Sequence, residues 1–198
     1  MNYLAHLFLA GDSAESLIGN LAGDFVKGAL RDQFTPGIRE GIMQHRRIDA
    51  FTDTHPHVAA FRRVLIPDHG HYSRVISDVF FDHFLAIDFT RYSSEPLDAF
   101  LRRVYTAIDP HADELHGHLR FVYPRMRDEG WLESYQSLEG IRMALGGISH
   151  RLSRKRSGAK RSRRSFTNCC SSLSGGFGPK LRISFTVHSS AVAAVVAL

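Results

Sequence analysis

Apolar residues recur at helical spacing along the first 148 residues, and almost nothing in this part alternates between apolar and polar at every second position. The clearest case begins at Pro96, after which one face collects apolar side chains. These are Leu97, Phe100, Leu101, Val104 and Ile108. Residues 73–89 are the most strongly apolar segment and are expected to form a central core helix. The pattern therefore predicts an all-α fold.

One helix is expected to change character along its length. Thr35 followed by Pro36 is typical of a helix start, with a cap residue and then proline in the first turn. Ile42 and His45 continue the apolar stripe, and Asp49 follows His45 by four residues, so both project from one face. The stripe thus passes from an apolar seam into a row of candidate metal ligands.

A second acidic pair lies in the apolar segment. Asp78 and Asp82 also stand four residues apart, and His83 is next to them. Their neighbours, such as Phe80 and Phe84, are too apolar for an ordinary solvated surface. Carboxylates in such surroundings need a partner or a ligand.

Two further ionisable groups occur near the amino terminus. His6 lies among apolar residues, where a histidine is more often a hydrogen-bonded core residue than a ligand. Asp24 falls on or next to an apolar helix face, where it is either a cap, a buried acid paired with an arginine, or a carboxylate ligand. With Asp53, the set has eight members: His6, Asp24, His45, Asp49, Asp53, Asp78, Asp82 and His83.

A mixed imidazole and carboxylate set suits a divalent ion such as Mn²⁺, Mg²⁺, Fe²⁺ or Zn²⁺. Such an ion makes bound water acidic and takes up charge on a phosphoryl oxygen. Arg46 and Arg47, beside the candidate ligands, could grip a phosphate. Metal-assisted hydrolysis of a phosphoester follows as the reaction class, although buried Asp/His networks also occur as purely structural features.

Charge and cysteine usage divide the chain in two. Residues 1–150 carry all 20 acids against 15 Lys and Arg, a net of −5, whereas residues 151–198 carry 10 Lys and Arg and no acid, a net of +10. Both cysteines, Cys169 and Cys170, lie in the basic part, which excludes a disulfide scaffold for the body and fits a cytoplasmic protein. We expect no targeting segment and no membrane span.

Four separated blocks resemble the acyl carrier protein phosphodiesterases. They are residues 1–7 (MNYLAHL), 19–28 (GNLAGDFVKG), 41–53 (GIMQHRRIDAFTD) and 78–85 (DVFFDHFL), and the likeness covers residues 1–148. The resemblance implies an all-helical fold of the HD-domain phosphohydrolase type. It also implies a Mn²⁺-dependent hydrolysis of the phosphodiester that links 4′-phosphopantetheine to a serine of holo-acyl carrier protein, with apo carrier protein as product.

Carried over residue by residue, the resemblance implies three sets of functional residues. Those expected to be catalytic are Asp24, His45, Asp49, Asp53, Asp82 and His83. Those expected to bind the metal are His6, Asp24, His45, Asp49, Asp78 and Asp82. Those expected to contact the substrate phosphate or the acidic carrier protein are Arg46, Arg47, Arg62 and Arg63, for which solvated helix faces are the alternative.

The chain departs from the family after about residue 148. The last helices are expected to close near Gly146 and Gly147, and residues 149–198 form a basic, Ser/Arg-rich tail where the family continues as amphipathic helix. The abrupt loss of all acids predicts that this segment is either disordered or translated out of frame, with a core helix missing. Resequencing of the gene tests the second alternative.

Two other functions fit parts of the sequence. One is an HD-type phosphohydrolase acting on a nucleotide, and the other is a nucleic-acid-binding protein that uses the basic tail. The body does not suggest the second, so nucleic acid is not the expected partner. A purely structural helical protein would leave eight ionisable groups among aromatic residues unexplained.

Overall fold

The computed structural model describes residues 3–30 and 33–155, with side chains as far as residue 148, and most of these residues are helical. The ten α-helices of this part, in chain order, are α1 (Tyr3–Leu9), α2 (Ala14–Ala22), α3 (Pro36–Thr54), α4 (Pro56–His69), α5 (Ser73–Ile87), α6 (Phe89–Tyr92), α7 (Leu97–Ile108), α8 (Leu119–Asp128), α9 (Trp131–Ser134) and α10 (Leu138–Lys155). One 3₁₀ turn, Gly70–Tyr72, connects α4 to α5, and another, Asp109–Glu114, follows α7 and precedes α8. No strand occurs in the described ranges, which confirms the all-α prediction; the HD type stays a prediction.

Helix α5 supplies the centre of the core. Eleven of its residues are buried, and it contacts α1, α4 and α10. Phe80 and Phe84 are 1% and 5% exposed and stack on each other. A helix that is apolar nearly all round must be enclosed by other helices. This confirms the central core helix that the apolar character of residues 73–89 predicted.

Helices α2 and α3 make the most extensive contact between helices in the described part of the chain. They approach closely at Gly19 and Gly41: a Cβ added to Gly19 would lie 2.7 Å from the Gly41 Cα, and one added to Gly41 would lie 2.9 Å from the Gly19 Cα. Neither position therefore accepts a side chain without moving the helices apart. This approach brings the carboxyl end of α2 against the middle of α3, where His45 lies.

The predicted start of α3 is confirmed. Thr35 has an extended backbone, its Oγ1 accepts a hydrogen bond from the Ile38 N–H at 3.3 Å, and Pro36 is the first helical residue. The helix ends at Thr54, because His55 precedes Pro56 and takes an extended conformation. Helix α3 is thus long enough to carry both His45 and Asp53.

The last helix runs farther than the sequence predicted. Helix α10 continues through Gly146 and Gly147 to Lys155 instead of closing at the two glycines. Each glycine costs about 1 kcal/mol of helix propensity, but Leu145 and Ile148 are buried on the inner face and packing decides the outcome. The predicted basic tail lies outside the described residues from position 156 onward.

No helix within residues 3–30 and 33–155 combines the length and the apolar character that crossing a membrane requires.

Candidate active site

His6 and His45 come from different helices and meet face to face. Their ring centroids are 3.7 Å apart with an angle of 17° between the planes, and both side chains are buried. His6 lies on α1 and His45 on α3. Burial lowers the pKa of His6, and the neighbouring His45 lowers it further, which favours a neutral imidazole at this position.

Asp49 joins the two histidines at the edge of the buried region. Its Oδ1 lies 3.2 Å from the His6 Nε2 and its Oδ2 lies 3.5 Å from the His45 Nε2. Burial opposes ionisation of Asp49, but its close contacts with the His45 and His6 imidazoles outweigh it and hold the pKa of this carboxyl well below its ordinary value. Asp49 is therefore an anion facing two imidazole nitrogens.

A backbone oxygen fixes the tautomer of His45. The His45 Nδ1 donates to the Asn20 carbonyl oxygen at 2.8 Å, and since a carbonyl only accepts, the proton sits on Nδ1. In the neutral ring Nε2 then carries a lone pair. It faces Asp49 and, at 3.9 Å, the Asp24 Oδ1. A lone pair between two carboxylates is electrostatically unfavourable unless a cation joins them.

The chemistry of these donors fits a divalent cation. Nitrogen and oxygen atoms of His6, His45 and Asp49 lie within 4.8 Å of one another, and this is the one group of three or more His, Cys, Asp or Glu side chains in the described residues that could hold a metal ion. Asp24 is near enough to His45 to add a fourth donor. Imidazole nitrogen with carboxylate oxygen is the donor set expected for Mn²⁺, Fe²⁺ or Zn²⁺.

The loop after α2 completes a pocket of about 300 Å³ beside this group. The pocket is lined by Gly23, Asp24, Val26, Lys27, Gly28, His45, Arg46 and Asp49. Gly23 allows the loop to pass directly over the imidazole, because a Cβ at this position would lie 2.7 Å from the His45 Nδ1. The pocket is open on one side, so a substrate can reach the candidate metal ligands.

Asp53, predicted to be catalytic, and Asp78, predicted to be a metal ligand, lie in a different cluster. The guanidinium of Arg62 donates to the Asp53 Oδ1 at 2.8 Å and to the Asp78 Oδ1 at 3.4 Å, and Arg74 also pairs with Asp53. Arg62 is 12% exposed and donates in addition to the Ser77 hydroxyl. These carboxylates hold α3, α4 and α5 together, and the structure does not bring them to the two stacked histidines.

Asp82 is buried and binds backbone. Its two oxygens accept hydrogen bonds from the N–H groups of Leu4 and Ala5, at 3.1 and 2.9 Å, so it anchors the start of the helix that carries His6. Burial raises the pKa of Asp82 to about 7. The structure thus gives Asp82 a positioning contact and does not group it with the candidate metal ligands.

His83 is likewise placed in the core. Its Nδ1 donates to the Tyr135 carbonyl oxygen at 2.6 Å, and burial lowers its pKa. Its ring contacts Phe80 and Phe84. Its predicted catalytic role therefore gains no support from its surroundings.

The four predicted substrate arginines are in three environments. Arg46 lines the pocket and Arg62 is occupied by the two acids of the separate cluster. Arg47 is exposed and pairs with Glu40, and Arg63 is exposed on α4.

Sequence reasoning did not identify Asn20 and Gln44. The Asn20 amide nitrogen donates to the Gln44 side-chain oxygen at 3.0 Å, and the Gln44 amide donates to the Leu9 carbonyl at 2.7 Å. These bonds tie α1, α2 and α3 together next to the histidines. The signal in the sequence was an asparagine within an apolar helical segment. In the structure this asparagine is fully buried, and buried amides are hydrogen-bonded.

Comparison with a family model and with individual relatives gives the same family description. A family described as acyl carrier protein phosphodiesterase matches residues 1–178. A relative named acyl carrier protein phosphodiesterase from Yersinia pestis is 38% identical over 152 residues, which cover 76% of this chain and 79% of the relative. Relatives with the same name from Serratia proteamaculans and Photorhabdus laumondii are 37% and 33% identical over 152 residues, covering 76% of this chain and 79% and 77% of the relatives. No solved structure matches the chain significantly.

Proposed function

Because this chain belongs to the acyl carrier protein phosphodiesterase family, we propose that it hydrolyses the phosphodiester between 4′-phosphopantetheine and the serine of holo-acyl carrier protein. Water adds to phosphorus, the bond from phosphorus to the serine oxygen breaks, and the serine oxygen takes a proton. The products are apo carrier protein and free 4′-phosphopantetheine.

The observation that carries the proposal is the direction of the His45 ring. Its Nδ1–H is engaged by the Asn20 carbonyl, so its Nε2 faces Asp49 and Asp24 at the pocket wall. A carbonyl partner on the opposite nitrogen is the usual support of a metal-bound histidine. We propose that His6, His45, Asp49 and Asp24 hold a divalent ion, Mn²⁺ by family resemblance.

When bound, such an ion supplies Lewis-acid chemistry, since it makes water more acidic and withdraws charge from a phosphoryl oxygen. The side chains of the site do the rest. Asp49, ionised and half exposed at 51%, lies at the open edge of the pocket and can orient the attacking water. Asn20 holds the His45 ring, and Asp82 holds the first turn of the helix that carries His6.

The test is release of 4′-phosphopantetheine from purified holo-acyl carrier protein, measured with Mn²⁺ and with chelator. We expect metal-dependent release that falls at least about 100-fold in His45→Ala and Asp49→Asn. His57→Ala changes an exposed histidine outside the pocket and serves as the matched control. Absence of release, together with hydrolysis of nucleotide phosphoesters, would instead support the nucleotide phosphohydrolase alternative.

A further inference from the structure

Lys27 is a cationic residue of the pocket that has no role in the function proposed above. It lines the wall together with Asp24 and Asp49, and its side chain is exposed. Within residues 3–30 and 33–148, no carboxylate forms an ion pair with it. As far as these residues are concerned, its ammonium group is available to a ligand that enters the pocket.

Arg46 holds the backbone on both sides of Lys27. Its Nη2 donates to the carbonyl oxygen of Val26 at 3.2 Å and to that of Gly28 at 2.8 Å. Gly28 has a φ of 76°, a left-handed conformation that turns the chain at this point and favours glycine. The loop is also fixed at its start, because the Val26 N–H donates to the Ala22 carbonyl at 3.2 Å.

The charge of the pocket requires a cation for an anionic substrate. A divalent ion held by Asp24 and Asp49, as proposed above, would offset the two negative charges of these carboxylates, which leaves the charge of the phosphodiester itself for a further cation. The guanidinium of Arg46 is partly committed to loop carbonyls. A lysine ammonium is a compact charge on a flexible stem, and it binds phosphate oxygens without needing a planar arrangement.

We propose that Lys27 binds the phosphate of the substrate, and that Arg46 is a positioning residue that fixes the loop carrying Lys27. The proposal rests on the proposed function for the identity of the phosphodiester. It differs from the sequence prediction, which gave the phosphate contact to Arg46 itself.

The experiment measures calorimetric binding of 4′-phosphopantetheine to the full chain, with and without Mn²⁺, alongside the kinetics of release from holo-acyl carrier protein. Lys27→Gln is expected to weaken binding and raise KM about tenfold, the loss typical of one charge-assisted contact. Lys27→Arg keeps the charge and should restore both. Arg102→Gln removes an exposed charge on α7 and serves as the control.

Arg46→Gln separates positioning from contact. We expect weaker binding together with faster amide hydrogen exchange in residues 23–28, whereas Lys27→Gln should leave that exchange unchanged. Exchange that stays slow in Arg46→Gln would overturn the positioning role.

The results distinguish the two proposals. Binding that depends on Lys27 in a chain that releases nothing would support the phosphate contact and count against the proposed reaction. Release and binding that are unchanged in Lys27→Gln would overturn the contact while leaving the reaction in place. A wild-type chain that does not bind 4′-phosphopantetheine at all would overturn the contact as well.

Discussion

The Nδ1 of His45 lies 2.8 Å from the backbone oxygen of Asn20, on the helix packed against its own. This contact joins the close approach of two helices to the chemistry of one ring, since it sets which nitrogen of His45 faces the carboxylates of the pocket. The imidazole is held by backbone, so no single side-chain substitution at position 20 removes the acceptor.

Gly23→Ala should disturb this ring directly. The added methyl group would lie well within contact distance of the imidazole, so either the ring or the loop must move. We expect Mn²⁺ affinity, measured by calorimetry, to fall about tenfold or more. Disturbing the groups that orient a metal-binding side chain typically costs about 10–100-fold in metal affinity.

Gly146→Ala is the matched control for that substitution. It makes the same chemical change within α10, where an added Cβ meets nothing within 4 Å. It should leave Mn²⁺ affinity unchanged and stabilise the chain by up to about 1 kcal/mol. Equal metal affinity in the two variants would contradict the role given to Gly23.

Asp49→Asn and Asp78→Asn should have different effects on Mn²⁺ binding, because the two acids belong to different clusters. Asp49 faces both histidines, whereas Asp78 pairs with Arg62. We expect Asp49→Asn to lose at least about 100-fold in Mn²⁺ affinity and Asp78→Asn to retain it. Loss of metal binding in Asp78→Asn would restore the ligand role that the sequence predicted for this residue.

Arg62→Met should weaken the fold without affecting the proposed metal ligands. The substitution leaves Asp53 and Asp78 without the guanidinium that bridges them. We expect the free energy of unfolding in urea to fall by about 1–3 kcal/mol, the usual cost of removing one partner of a partly buried polar contact. Arg102→Met, in an exposed pair on α7, should change it little.

Asp82→Asn should alter the pH dependence of stability. Burial raises the pKa of Asp82 to about 7 from its ordinary value of about 3.8, so between about pH 4 and pH 7 the folded state holds more protons than the unfolded state. This group therefore contributes stability at low pH that is lost as pH rises through 7. His6 and His83, with lowered pKa values, act in the opposite direction as pH falls below about 6.5.

The difference between Asp82→Asn and wild type isolates the carboxyl, since both share the histidines. We expect urea denaturation at pH 4.5, 6 and 8 to show that the wild type loses stability relative to the variant as pH rises. Parallel profiles would show that Asp82 does not titrate in this range. The asparagine should also lose one of the two bonds to α1, at about 1 kcal/mol.

The sequence by itself determined the local features of this protein. Helical spacing predicted the all-α fold, Thr35 and Pro36 predicted the start of α3, and the four-residue spacing placed His45 and Asp49 on one face. These features depend on backbone geometry within a few turns of helix. The four blocks also pointed to the family that the comparisons then showed.

The tertiary structure decided which candidate residues meet. Asp49 and Asp53 stand four residues apart on α3, yet one faces His6 and the other pairs with Arg62. Sequence spacing does not distinguish the two acids, because the partner of Asp49 lies on α1 and that of Asp53 lies on α4. Which partner each acid meets depends on how those helices pack on α3. The contact of Gly19 with Gly41 sets that packing near His45, although neither glycine has a side chain that could take part in the reaction.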